Sequence, residues 1–191
     1  MRTAPVRDRL LDAADEVLFM DGSVSTPVDV ILRRAGASPP SLYSHFGNKE
    51  GLITAALQRR LRVWTAVWDD EISRATTDAG RLLALWPALR VYQRDHLTER
   101  WCAFSGAAAA IPQPSAQLTT VLTEETQLLR DRLLEHSRLL AGRRAKSLAS
   151  ALFIAYTGTM ATMLREQYQV AIDEGEASAK ALVSHYTTER C

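Results

Sequence analysis

Cysteine, histidine and glycine are all scarce in this chain, and each scarcity removes a class of function. The two cysteines, Cys102 and Cys191, are far apart and have neither metal-ligand nor thioredoxin-like spacing. A disulfide framework is excluded, and a reducing cytoplasm is the simplest home. Cys102 lies in an apolar run, which suits a small buried residue; a redox switch is the alternative reading. The four histidines stand alone at positions 45, 96, 136 and 185. No phosphate-binding glycine loop, zinc-spaced His and Glu pair or serine nucleophile elbow appears, so no catalytic residue, metal or cofactor is expected and an enzyme is the weaker hypothesis. No secretory signal pattern opens the sequence. Positive charge is nearly absent as a net quantity, at +1 over 191 residues. Residues 1–62 hold nine Lys and Arg against seven Asp and Glu, and residues 63–191 hold fourteen against fifteen. A broad cationic field is therefore excluded, and any polyanion must be held by a few well-placed cations.

Long apolar runs are also missing. Residues 147–164 carry no charge and reach the length of a membrane-spanning helix. Ser147, Ser150, Tyr156, Thr157, Gly158, Thr159 and Thr162 make the run too polar for lipid. Residues 101–123 are uncharged as well, but Pro112 and Pro114 prevent one helix from crossing them. No membrane partner is expected. Alternating strand patterns are absent, so the chain reads as all-α.

What is present is dense helix punctuation over residues 26–52, TPVDVILRRAGASPPSLYSHFGNKEGL. Thr26 offers a cap hydroxyl, Pro27 fits a first helical position, and Asp29 stands three residues after the cap. Val30, Ile31 and Ala35 form an apolar stripe, and Gly36 stands where a left-handed residue closes a helix. Ser38 is positioned to cap the next helix, with Pro39 in its first turn. Pro40 disfavours helical geometry at Pro39, which predicts an irregular start. Around this helix Leu42 and Phe46 fall on one side, Tyr43 at the edge, and Pro40, Ser41, Ser44 and His45 on the other. Gly47 and Asn48 stop it, and Asn48 can cap a third helix whose first residue, Lys49, is a cation at a positive dipole end. One face anchored and the other small and polar is the division required of a helix that enters the major groove of duplex DNA.

Residues 10–52 resemble the DNA-binding domain of the TetR family of bacterial transcriptional regulators, most specifically in AGASPPSLYSHFGNKEGL, residues 35–52. The first helix, residues 6–20, fits too, with Leu10, Ala14 and Val17 on one face and Leu11 and Leu18 beside them, before a turn at Asp21 and Gly22. Ser23 departs from the pattern, which usually has an aromatic there. The resemblance implies DNA contacts at Thr26, Ser38, Pro39, Pro40, Ser41, Tyr43, Ser44, His45 and Lys49. Thr26, Ser38, Tyr43 and Lys49 would reach phosphate, while Ser41, Ser44 and His45 would face bases. Pro39 and Pro40 can make only apolar contacts, for instance with thymine methyls. The alternative is that Thr26 and Ser38 only cap and Tyr43 only packs. Arg2, Arg7 and Arg9 are either phosphate contacts or a solvated terminus.

Residues 101–114, WCAFSGAAAAIPQP, also resemble the middle of ligand-binding domains in a TetR/AcrR-like branch. The implied architecture is a helix-turn-helix DNA-binding domain over residues 1–50 and a helical effector-binding and dimerisation domain over 51–191. Helices are expected at 48–74, 81–95 with Pro87 as a possible kink, 99–110, 116–140, 143–173 and from 175 to about 187. Trp64, Trp68, Trp86, Tyr92, Trp101, Phe104, Tyr156, Met160 and Met163 are candidates for an apolar or aromatic effector pocket, each with ordinary core as its alternative. His96 and Arg100, or His136, would be its polar handle. The resemblance further implies a homodimer on a palindromic operator. Ala151, Ala155, Thr159 and Thr162, with Leu148, Leu152, Met163 and Leu182, would pair across the two-fold axis or else pack within the monomer.

Overall fold

Helix α1 (Val6–Ala14) follows Pro5 and runs on as a π-helical stretch, Asp15–Met20, in a computed structural model that describes residues 4–20, 23–99 and 101–188. The expectations for Arg2, the turn at Asp21 and Gly22, Arg100 and Cys191 lie outside the described residues. Nine further α-helices follow, and no strand occurs among the described residues. No helix among them is long and apolar enough to cross a membrane.

The helices divide into two compact units: residues 1–62 with 97–124, and residues 63–96 with 125–191. In the first unit α1 packs on α2 (Val28–Ala35) and α3 (Pro39–Phe46), and Leu10, Ile31, Leu42 and Leu52 are its fully buried centre. Helices α4 (Lys49–Arg74) and α8 (Ala116–Ala141) contribute residues to both units, and α7 (Ala103–Ala110) belongs to the first. Residues 97–124 join residues 1–62 for an electrostatic reason. Arg60, with no exposed surface, donates from Nε to Asp15 at 2.6 Å and from Nη1 to Glu99 at 3.1 Å and to the Leu97 carbonyl at 3.0 Å. Removing Asp15 would leave the buried Arg60 guanidinium with Glu99 as its remaining carboxyl partner among these acceptors.

The second unit holds α5 (Asp78–Leu83), α6 (Leu85–Asp95), α9 (Ala145–Thr162) and α10 (Tyr168–Thr188). Thr77 caps α5 by accepting from the Gly80 amide at 3.0 Å, so helix begins at Asp78, before the expected start at residue 81. Pro87 falls in the first turn of α6, where a missing N–H costs nothing, and the break lies earlier, at Ala84.

The expectation for residues 143–175 is corrected. The helix ends at Thr162, the chain turns over residues 163–167, and Gly175 lies inside α10. Gly175 is there for contact, since a Cβ at that position would stand 1.9 Å from Thr159 Oγ1 and 2.8 Å from Trp86 Nε1. Glycine thus sets how closely α10 approaches α9, where the sequence pattern read it as a stop.

Candidate nucleic-acid interface

The second and third helices of the head are held by the backbone devices their sequence announces, with informative exceptions. Gly36 closes α2 at φ +57°, and the amide of Ala37 reaches back to the Leu32 carbonyl at 3.0 Å. Arg9 completes that end, donating to the carbonyls of Ala35 and Gly36 at 3.0 and 3.1 Å. Its guanidinium is thus committed to the fold, whereas Arg7 is exposed, beside Asp8 at 3.9 Å and 5.8 Å from the Phe46 ring. Thr26 does not cap α2, which begins a residue later than expected, with Pro27 in the cap position. Its hydroxyl accepts instead from the amide of Ser23 at 3.4 Å and closes the preceding turn.

Ser38 does occupy the cap position of α3, at φ −90° and ψ 155°, but its hydroxyl pairs with that of Ser41 at 3.0 Å. The two prolines do not break the first turn. The amides of Ser41 and Leu42 both reach the Ser38 carbonyl, at 3.0 and 3.3 Å. The first turn of a helix ordinarily leaves amides free for an anion. Here Pro39 and Pro40 have no N–H and the next two amides are occupied, so hydroxyls are the donors this end presents.

Leu42 is 1% exposed and seats α3, while Tyr43 is 60% exposed. Pro39, Pro40, Ser44 and His45 are exposed, and Ser41 is half-buried. The face expected to read DNA is therefore open and small. Gly47, at φ +75°, ends α3, and Asn48 Oδ1 accepts from the Gly51 amide at 2.8 Å as the expected cap of α4. Gly51 went unnoticed in the sequence; a Cβ there would lie 2.0 Å from the Phe46 carbonyl oxygen, a backbone atom. Lys49 is half-buried and donates to the Val24 carbonyl at 2.6 Å. Burial lowers its pKa from the ordinary 10.5, and two of its three N–H donors remain for a phosphate.

The nine aromatic and sulfur candidates are divided between the two units. Trp64 stacks with Tyr156 (centroids 6.1 Å apart), meets Tyr92 edge-on at 5.7 Å and lies 5.7 Å from Trp68. Trp86, Met160 and Met163 are buried in the same unit, with the Trp86 indole N–H turned toward Thr159 and Gly175. Trp101 and Phe104 belong to the first unit. Of the polar handles, His96 is exposed and His136 half-buried, where desolvation lowers its pKa below 6.5. Trp68 Nε1, Trp86 Nε1, Arg132 Nη1 and Ser137 Oγ are buried without a hydrogen-bond partner.

A three-helix head with a seated helix that turns a small polar face to solvent defines a helix-turn-helix protein. Residues 10–56 match the family model of bacterial regulatory proteins, tetR family. The chain is 29% identical over 158 residues to the HTH-type transcriptional activator FasR of Mycolicibacterium smegmatis, a match spanning 76% of this chain and 66% of that protein. It is 40% identical over 53 residues to the HTH-type transcriptional repressor ComR of Escherichia coli, covering 28% of this chain and 25% of that one. The matches thus span less than two thirds of either relative. The crystal structure of SCO4454, a TetR-family transcriptional regulator from Streptomyces coelicolor, shares the fold with a TM-score of 0.85 at 21% identity, over 95% of this chain and 96% of that one.

Proposed function

We propose that this chain is a homodimeric, ligand-responsive transcriptional regulator that reads a palindromic duplex operator with α3. The observation that carries the reading is the division of α3 into a buried Leu42 and an exposed face of Pro39, Pro40, Tyr43, Ser44 and His45. Tyr43, Ser38, Thr26 and Lys49 position the head on phosphates, and Ser41, Ser44 and His45 meet base edges. With prolines in place of strong hydrogen-bonding readers, part of the specificity comes from operator shape. Occupying a promoter excludes polymerase without any further contact, so repression asks least of this surface. One relative is named an activator and the other a repressor, and a promoter reporter with and without the gene reads the sign directly.

Two-fold pairing through α9 and α10 would set the two α3 helices about 34–36 Å apart, or a multiple of that. Leu148, Leu152, Thr159 and Met163 are buried in the chain's own core. The surface left for a partner is centred on Ile154 and Gly158, with Val170 on α10. Gly158 has no atom within 4 Å of where a side chain would begin, so a second backbone can come close. For an effector we infer an aromatic compound with acceptor oxygens. It would part the Trp64, Trp68, Tyr92 and Tyr156 rings and take bonds from the unmatched Trp68 and Arg132 donors. An effector that prefers a state with α4 displaced would weaken operator binding, and operator would weaken effector binding by the same factor. The rings lie in mutual contact, with centroids 5.7–6.1 Å apart, which favours a second reading, a ligand-independent regulator with a closed core. Genome-wide binding of the tagged protein tests the main proposal, because genes beside enriched palindromes point to the effector's chemistry. Enrichment of no site would overturn it.

A further inference from the structure

Within the first unit, a cavity of about 250 Å³ opens between the π-helical end of α1, the turn at residues 23–25 and α7. Leu18, Phe19 and Val24 form one wall, and Trp101 and Gly106 the other. The space is empty because α7 turns only small residues to it: Ala103, Gly106, Ala109 and Ala110. Even a methyl group on Gly106 would come within 3.4 Å of Trp101 Nε1. Ser23 and Ser25, at the same cavity, are too short to fill it. Ser23, Ser25, Ala109 and Ala110 at its mouth are exposed, so its apolar walls meet solvent, and a guest of matching shape would cover them.

Size and chemistry narrow the guest. A cavity of roughly 150 Å³ lined by apolar side chains takes up benzene, whereas pockets for drug-sized ligands begin at roughly 300 Å³. This one lies between and suits two fused rings. None of its described lining residues is charged, and the hydroxyls of Ser23 and Ser25 are its polar groups besides the Trp101 indole N–H. We propose that this cavity is a binding site for a small neutral bicyclic aromatic compound bearing one hydrogen-bonding group. The site is built from residues of the first unit alone and borders Phe19, whose ring carries the Arg60 guanidinium at 4.7 Å.

The proposal does not depend on DNA binding, because its readout is the ligand itself. The full-length protein is titrated with indole by calorimetry and by ligand-observed NMR, alongside three variants. Ala109→Phe and Ser23→Leu fill the cavity from opposite sides at exposed positions. Ala108→Phe makes the same change on α7 at an exposed residue that does not line it. Saturable binding of indole below about 1 mM, weakened at least ten-fold by whichever filling variants retain the wild-type circular dichroism and altered less than two-fold by Ala108→Phe, supports the site. Absence of saturable binding, undiminished binding in a folded cavity-filling variant, or equal loss in Ala108→Phe overturns it.

Discussion

Two prolines decide how α3, the proposed recognition helix, could hold a phosphate. Because Pro39 and Pro40 remove amides and Ser38 occupies the next two, the positive helix end has no free N–H to aim. Pro40→Ala restores one, and anion binding at a helix N-terminus is worth about 0.3–1 kcal/mol. Affinity for non-specific duplex, measured by fluorescence anisotropy at fixed salt, is expected to rise about two- to five-fold; unchanged or weaker binding would place phosphate elsewhere. A second residue-scale consequence concerns Glu99. Burial outweighs the nearby Arg60 and pushes its carboxyl up to about 7 from the ordinary 4.5, with Asp15 adding to the rise. Between those values the folded state binds more protons than the unfolded one, so this group's contribution makes stability fall as pH rises from 4.5 to about 7 and level off above. Glu99→Gln should therefore flatten the decline in urea midpoint between pH 5 and 8. Parallel curves for the two proteins would assign the slope to other groups. None of this pairing was legible in the sequence, because Arg60 and Glu99 are 39 positions apart and charge pairing at that range follows only from the fold. The Asn48 cap and the Gly36 and Gly47 terminators were legible, because each satisfies or bends backbone within a few residues of itself.

At the scale of elements, glycine is where reading and structure part. Gly36 and Gly47 end helices at positive φ, as their flanking residues suggest. Gly175 sits mid-helix because Thr159 and Trp86 occupy the space a side chain would need, and sequence periodicity does not distinguish a close approach from a stop. Gly175→Ala is expected to lower stability by about 1–3 kcal/mol, the usual cost of overpacking a core, read as a shift in urea midpoint. Thr159→Ala in the same chain should recover part of the loss. If Gly175→Ala were neutral, α9 and α10 would not be held this closely. The boundary of α2 shows a smaller displacement of the same kind. Thr26 and Pro27 both carry start signals, and the helix uses the later one, freeing Thr26 to close the turn before it. Most of the candidate pocket residues were legible as buried apolar side chains, whereas the assignment of Trp101 and Phe104 to the first unit follows only from the fold.

For the whole molecule, several of the head's described cations already serve the fold. Arg9 holds the end of α2, Arg34 pairs with Glu16, and Lys49 holds the Val24 carbonyl. A small net charge gives one head little non-specific affinity, so the proposed operator binding would depend on pairing two heads. Ile154→Glu, placing a charge at the 65% exposed centre of the α9 surface, is expected to convert dimer to monomer in sedimentation and to abolish operator binding at concentrations that saturate the wild type. A monomer that bound as tightly as the wild type would refute the symmetry argument. The most direct measurement is hydroxyl-radical footprinting of the purified protein on its genomically enriched fragment, beside the double variant Tyr43→Ala and Ser44→Ala. Two protected segments about 34–36 Å apart, or a multiple of that, both lost in the folded double variant, are the predicted result. An undiminished footprint in that variant would contradict the assignment of α3 as the helix that reads DNA.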